Sequence, residues 1–217
     1  MHHHPAPSPP APNRYGAVGA AREKYGYDLR VPGQLFFTED ATANALLVDE
    51  PMALLIGFLL DQQVTVQKAF SGPLAIRERV GSLDAAALAD ADLDAVFREK
   101  PAIHRFPGAM AAKVHELAAI VRDEYGGDAS RIWTEAADAD DLRARIGALP
   151  GFGEMKIKSL GAVLFNRFGV AAAEGLVPSH PTLGDVDSPH ALAHYQAEKK
   201  LHKGEWLKSS REPGDGL

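Results

Sequence analysis

The chain contains no cysteine, which excludes disulfides, thiolate zinc sites and cysteine-held iron–sulfur clusters. It also lacks a long apolar run. The longest, Met52–Leu60, is far too short to cross a bilayer as a helix. No charged-then-apolar start resembles a secretory signal. These absences predict a soluble, intracellular, cytoplasmic protein with no membrane partner, expected to act as a monomer. An excess of positive charge is missing too: 23 Lys and Arg against 29 Asp and Glu give a net charge of −6. Bulk attraction to a polyanion is therefore disfavoured, and any nucleic-acid function must rest on local positive character. Lys199, Lys200, Lys203, Lys208 and Arg211 form one such stretch, although on charge alone a solvated helix face is the better account of them. Strand signals are nearly absent, since no useful apolar–polar alternation follows residue 40. No phosphate-loop or hydrolase-elbow motif is found.

What is present is a globular composition, 46% apolar over 217 residues, enough for one large domain or two small lobes sharing a core. Residues 1–13 are proline-rich and without periodicity, and residues 1–32 are expected to be disordered or loosely attached. The three histidines at the start read as a tag remnant or part of that tail. Gln34–Thr38 has the look of a short extended piece, and Asp40 or Thr42 is placed to cap the next helix.

From Ala41 onward the pattern is helical. Met52–Gln62 reads as a buried helix, apolar nearly all round. Val64–Phe70 and Pro73–Val80 read as separate helices broken at Ser71-Gly72, with Pro73 at a first helical position. Ala85–Ala89 has Ser82 as its expected N-cap, and Asp92–Arg98 ends before Pro101. Met110, Val114, Leu117 and Val121 build one stripe over Met110–Tyr125, which Gly126-Gly127 stops. Asp128–Ala137 and Asp141–Ile146 are further short helices. Ile157, Leu160, Leu164 and Phe168 mark Glu154–Phe168, with Gly169 as C-cap. A long Gly/Pro-broken loop covers Val170–Ser188, and a last helix runs from Pro189 to about Leu207. The predicted architecture is all-α.

Between two of these helices lies Leu149-Pro150-Gly151-Phe152-Gly153. Pro150 ends the first helix, and the glycines permit positive φ and a close backbone approach. The second helix then begins with free N–H groups and the positive end of its dipole. A helix-hairpin-helix over residues 148–168 can therefore hold a phosphate without basic side chains, with Glu154, Lys156 and Lys158 nearby. The plainer alternative is a tight helix connection whose glycines serve packing.

The hairpin, Leu59-Leu60-Asp61-Gln62-Gln63-Val64-Thr65 before it and Val186-Asp187-Ser188 after it resemble the helix-hairpin-helix (HhH-GPD) base-excision DNA glycosylases over roughly residues 50–200. The likeness extends to endonuclease III-like and alkylpurine glycosylases, here without a cluster or other cofactor. It implies two helical lobes: a six-helix lobe at 52–168, and a second lobe from 33–51 plus 169–211. A damaged or mispaired base of double-stranded DNA would be flipped into the cleft between them. Asp187 matches the reacting carboxylate, with Asp185 as the fallback and N-capping as its ordinary role. Gln63 matches the side chain inserted into the vacated stack, and Gln62 leaves a one-residue ambiguity. Strand-nicking members carry a lysine where this chain has Met155. Lys156 is expected about 100° further round the helix, away from the cleft, so the resemblance implies excision without strand nicking. His104 and Phe106 are candidate base-pocket residues, whereas Tyr125 and Trp133 are expected in the core. His190, His194, Glu198 and His202 have the spacing of a metal site, but no motif supports one and none is expected. A non-catalytic DNA-binding or lesion-recognition module, including a degenerate relative of such enzymes, is the alternative.

Overall fold

The computed structural model describes residues 34–209, with side-chain surroundings as far as Lys199. The expectations for residues 1–32 and for Arg211 lie outside the described residues. The described chain is all-helical: no strand occurs among the described residues, and two 3-10 turns punctuate the long loop.

Asp40 accepts from the N–H groups of Thr42 and Ala43 at 2.7 and 3.1 Å and so starts α1, Ala41–Asp49. Residues 34–38 are held without a ladder. The Asn44 amide accepts from Thr38 N and donates to Thr38 O, both at 2.9 Å, which satisfies buried backbone that a strand partner would otherwise meet. Pro51 sits at the first position of α2, Pro51–Leu60, and the chain bends by 116° between α1 and α2. No single described helix is long and apolar enough to cross a membrane. All ten residues of α2 are buried, which makes it the centre of the core.

Against α2 packs α3, Val66–Val80, capped by Thr65 and ended by left-handed Gly81. It is one helix, not the two expected, and Pro73 lies inside it. Its missing N–H forfeits a bond to the Ala69 carbonyl, a cost of about 3 kcal/mol. Burial of Val66, Ala69, Phe70, Pro73 and Ile76 offsets that cost. Close contact of the two helices depends on Gly57 and Gly72, since a Cβ at either would run into Phe70 or Leu60. Phe37, Phe70 and Phe58 stack edge-to-face with centroids 4.8 and 5.2 Å apart.

Next come α4 (Ala85–Asp90) and α5 (Leu93–Arg98), both packed on α6 (Pro107–Glu124). Asp84, not Ser82, is the N-cap residue of α4, and Ser82 Oγ accepts from the Asp84 N–H instead. Met110, Val114, Leu117 and Val121 of α6 are all buried, as their spacing predicts. The expected helix at 128–137 contracts to α7, Arg131–Thr134, because Asp128 uses its carboxylate to bond Ser130 and so shapes a turn. Tyr125 and Trp133 lie in the core.

Asp138 caps α8, Ala139–Gly147. After the hairpin, α9 spans Glu154–Phe168 and closes at left-handed Gly169, as expected. The 3-10 turns Ala171–Leu176 and Leu183–Asp185 pack on α9, and α10, Pro189–Ser209, follows. Ser188, not Asp187, caps α10 through a 3.2 Å bond from Ala191 N. Gln67 and Gln196 exchange two side-chain bonds that tie α3 to α10. A single apolar cluster runs from Leu35 to Leu192.

Candidate nucleic-acid interface

Leu149 to Phe152 form a β-turn closed by the Phe152 N–H on Leu149 O at 3.3 Å. Pro150 supplies the φ of its second position, and Gly151, at φ +78°, takes the third position of a type II turn. Leu149 and Phe152 are buried. Sequence reasoning placed both among the DNA contacts. Their side chains anchor the hairpin in the core, which leaves Pro150 and the glycine backbone at the surface. Gly153 begins α9 with extended backbone and no side-chain cap, and the N–H groups of Gly153, Glu154 and Met155 bond no described residue. Three donors therefore point outward at the positive end of a fifteen-residue helix.

Glu154 occupies the first turn, where its carboxylate binds the Arg143 guanidinium at 2.7 Å and Lys158 at 3.3 Å. The Arg143 hydrogen bond holds its pKa below the ordinary value. A phosphate arriving at this helix end meets that carboxylate and competes with it for Arg143. Glu154→Gln is thus expected to strengthen binding to undamaged duplex several-fold at low salt, with the gain shrinking at high salt. Unchanged affinity in a salt titration would show that Arg143 does not reach the phosphate.

The turn after α2 lies against the hairpin. Gln62 is turned inward: its Nε2 donates to Leu59 O at 2.7 Å and its Oε1 accepts from Lys113 Nζ at 3.2 Å. A Cβ on Gly151 would lie 3.2 Å from Gln62 Nε2, so the hairpin turn sits directly over this amide. Gln63 is exposed at φ +57°. Of the two adjacent glutamines, Gln63 is exposed and Gln62 is half-buried.

His104 braces the same turn. Its Nδ1 accepts from the Phe106 N–H at 3.1 Å, so Nε2 carries the proton and donates to Gln62 O at 3.1 Å. The ring is buried, and neither His104 nor Phe106 borders the two cavities described below. His104 has a structural role in this turn, whatever else lies near it. Both ring nitrogens of His104 are occupied, and exposed Phe106 carries the Arg105 guanidinium over its ring at 4.8 Å.

Burial pushes the His104 pKa down, so between that value and the ordinary one near about 6.5 the unfolded chain binds more protons. The stability His104 contributes is complete above the ordinary value and is lost as pH falls through the folded one. The wild-type Tm should therefore decline more between pH 7.5 and 5 than that of His104→Asn. Equal declines would dissociate acid destabilisation from this ring.

A cavity of about 620 Å³ opens beside the hairpin. Phe58 and Asp61 border it from the end of α2, and Met155, Lys156 and Ser159 from the start of α9. His180, Pro181 and Thr182 of the loop, with Tyr195, Glu198 and Lys199 of α10, complete the wall. Lys156 is therefore on the cavity, contrary to the expectation from its angular position. Helical side chains lean toward the N-terminus of their helix, and the long stem lets Nζ donate to Leu59 O at 3.0 Å. That carbonyl lies at the negative end of α2, where a cation is favoured. Burial lowers the Lys156 pKa to about 8, with Asp61 opposing the shift and Lys113 adding to it. Exposed Met155 stands at the cavity rim.

Asp185 borders a second, more open cavity of about 500 Å³ that shares His180, Tyr195 and Glu198 with the first. Its carboxylate is closed on Thr182, accepting from N at 2.8 Å and from Oγ1 at 3.1 Å. Asp187 is exposed and borders neither cavity. His190 and His194 are exposed, and His194 faces Glu198 at 3.8 Å. No group of three or more metal-ligating side chains occurs among the described residues.

Sequence reasoning gave Asp61, Lys113 and Tyr195 no role, and weighed Glu198 only as part of a metal spacing that no motif supported. Asp61 left a trace only as part of the Leu59–Thr65 stretch. Comparison with known proteins finds no matching family model, no matching curated protein and no matching solved structure.

Proposed function

We propose that the protein is a base-excision DNA N-glycosylase of two helical lobes. The hairpin holds the phosphate backbone of double-stranded DNA, Gln63 enters the stack, and a damaged or mispaired base turns into the cavity beside it. One observation carries this reading: the free N–H groups of Gly153, Glu154 and Met155, the exposed Gln63 and a cavity of about 620 Å³ lie on adjoining parts of one face. A base and its sugar fit such a volume, and extrusion is what chemistry on a base within a duplex requires. Backbone donors also account for DNA binding by a chain with a net charge of −6.

No cofactor takes part in this hydrolysis, which we place in the cytoplasm on a monomer. Met155 at the position of the strand-nicking lysine supports excision without nicking. Lys156 is on the cavity, but its amine is bonded to Leu59 O and, with a pKa of about 8, mostly protonated at pH 7. The resemblance assigns the reacting carboxylate to Asp187, with Asp185 as fallback.

Labelled duplexes bearing methylated, oxidised, deaminated and mismatched bases test the reading. One or more should release its base and show strand cleavage only after alkali. A borohydride-reduced adduct on Lys156 would overturn excision without nicking. Tight binding with no base release from any duplex would favour the second reading, a non-catalytic lesion-recognition module.

A further inference from the structure

The cavity beside the hairpin is bordered by two carboxylates, and they differ in what occupies them. Glu198 faces His194 at 3.8 Å. Asp61 is half-buried at the C-terminal end of α2, where its backbone N–H bonds the carbonyls of Gly57 and Phe58 at 3.2 and 3.3 Å. Those bonds hold the residue in place, while its carboxylate makes no hydrogen bond to any described residue. It lies within electrostatic reach of Lys156, whose amine it draws toward the charged form. The other aspartates considered for this site are placed differently. Asp185 spends its carboxylate on Thr182 and Asn166, and Asp187 borders neither of the two cavities described.

We propose that Asp61 is the carboxylate that faces the reacting sugar, an inference that rests on the N-glycosylase reading. As the bond from C1′ to the base breaks, its electron pair leaves with the base, which takes a proton from solvent. The sugar is left with oxocarbenium character, and the Asp61 carboxylate stabilises that positive charge. A water then forms the new C1′–O bond and gives its proton to Asp61, which returns it to solvent. One water is consumed, nothing is oxidised or reduced, and a free base and an abasic site result. The position suits such a role, since Asp61 is two residues from exposed Gln63 and on the wall that the extruded nucleotide meets.

The test needs no knowledge of the lesion. Two duplexes are compared at pH 7, one carrying a pyrrolidine abasic analogue, cationic like the transition state, and one its neutral tetrahydrofuran counterpart. Wild-type protein should bind the cationic duplex at least about tenfold more tightly, as expected for a mimic of the reacting cation. Asp61→Asn and Asp61→Ser should both abolish that preference while holding the neutral duplex within about twofold of wild type, and Asp49→Asn, at an exposed aspartate ending α1, should keep it. A preference that survives in both Asp61 variants, one lost in Asp49→Asn, or none in the wild type overturns the proposal. Failure of the wild type to bind either duplex overturns the DNA reading itself, and the assignment of Asp61 falls with it.

Discussion

Gly153→Val is expected to leave the Tm within about 4 °C of wild type and to cut duplex affinity by about tenfold or more. The residue has φ −88° and ψ 176°, a conformation valine adopts readily, and a Cβ built there meets nothing within 4 Å. Folding therefore has no use for a glycine at this point, and replacing an N-cap glycine costs only a few tenths of a kcal/mol to about 1 kcal/mol. What the valine does obstruct is the approach to the free N–H groups of Gly153, Glu154 and Met155. Gly151→Val separates the two roles less cleanly. At φ +78° a side chain is strained, and its Cβ would crowd the Gln62 amide, so fold and binding would fail together. Binding isotherms and a thermal melt on Gly153→Val decide the matter. Unchanged affinity would return the hairpin to the plainer reading, a tight connection between two helices.

Gly184→Ala should lower the Tm by roughly 5–10 °C, corresponding to about 2–3 kcal/mol in a chain of this size. The added Cβ would lie 2.5 Å from the Ala162 carbonyl carbon and 2.6 Å from its oxygen, both backbone atoms of a buried stretch of α9. No side chain can rotate away to make room, so the 3-10 turn Leu183–Asp185 must lift off the helix. Thr182 bonds Asp185 in that turn and also borders the cavity, so excision should fall along with stability. A melt indistinguishable from wild type would mean that the loop rides free of α9.

Much of the helical framework was legible because local periodicity reports which face of a helix is buried. Met110, Val114, Leu117 and Val121 show it plainly, and Gly169 ends α9 where its chemistry says a helix should end. The hairpin turn was equally legible, since Pro150 and Gly151 suit successive positions of one turn type. Pro73 misled for a reason of the same kind. Its local cost is real, but the apolar face that α3 buries against α2 outweighs it, and that face becomes visible only once the helices are paired.

The site was less legible because its side chains answer to groups far away along the chain. Lys156 points where it does on account of Leu59 O, 97 residues earlier, and Gln62 turns inward on account of Lys113, 51 residues later. No spacing rule contains such partners. Gln62 and Gln63 are neighbours of identical chemistry, yet one braces the hairpin while the other is exposed. Asp61, Asp185 and Asp187 could likewise be told apart only by what lies around them.

By itself, then, the sequence determined an all-helical chain without disulfides and a glycine turn that exposes a helix N-terminus. Each is a property of composition or of a few adjacent residues, where backbone sterics and hydrogen-bonding capacity act locally. The tertiary structure decided which carboxylate and which amine meet at the cavity beside that turn. Their placement depends on helix packing and on carbonyls left open at helix ends, and these come together only when the chain folds.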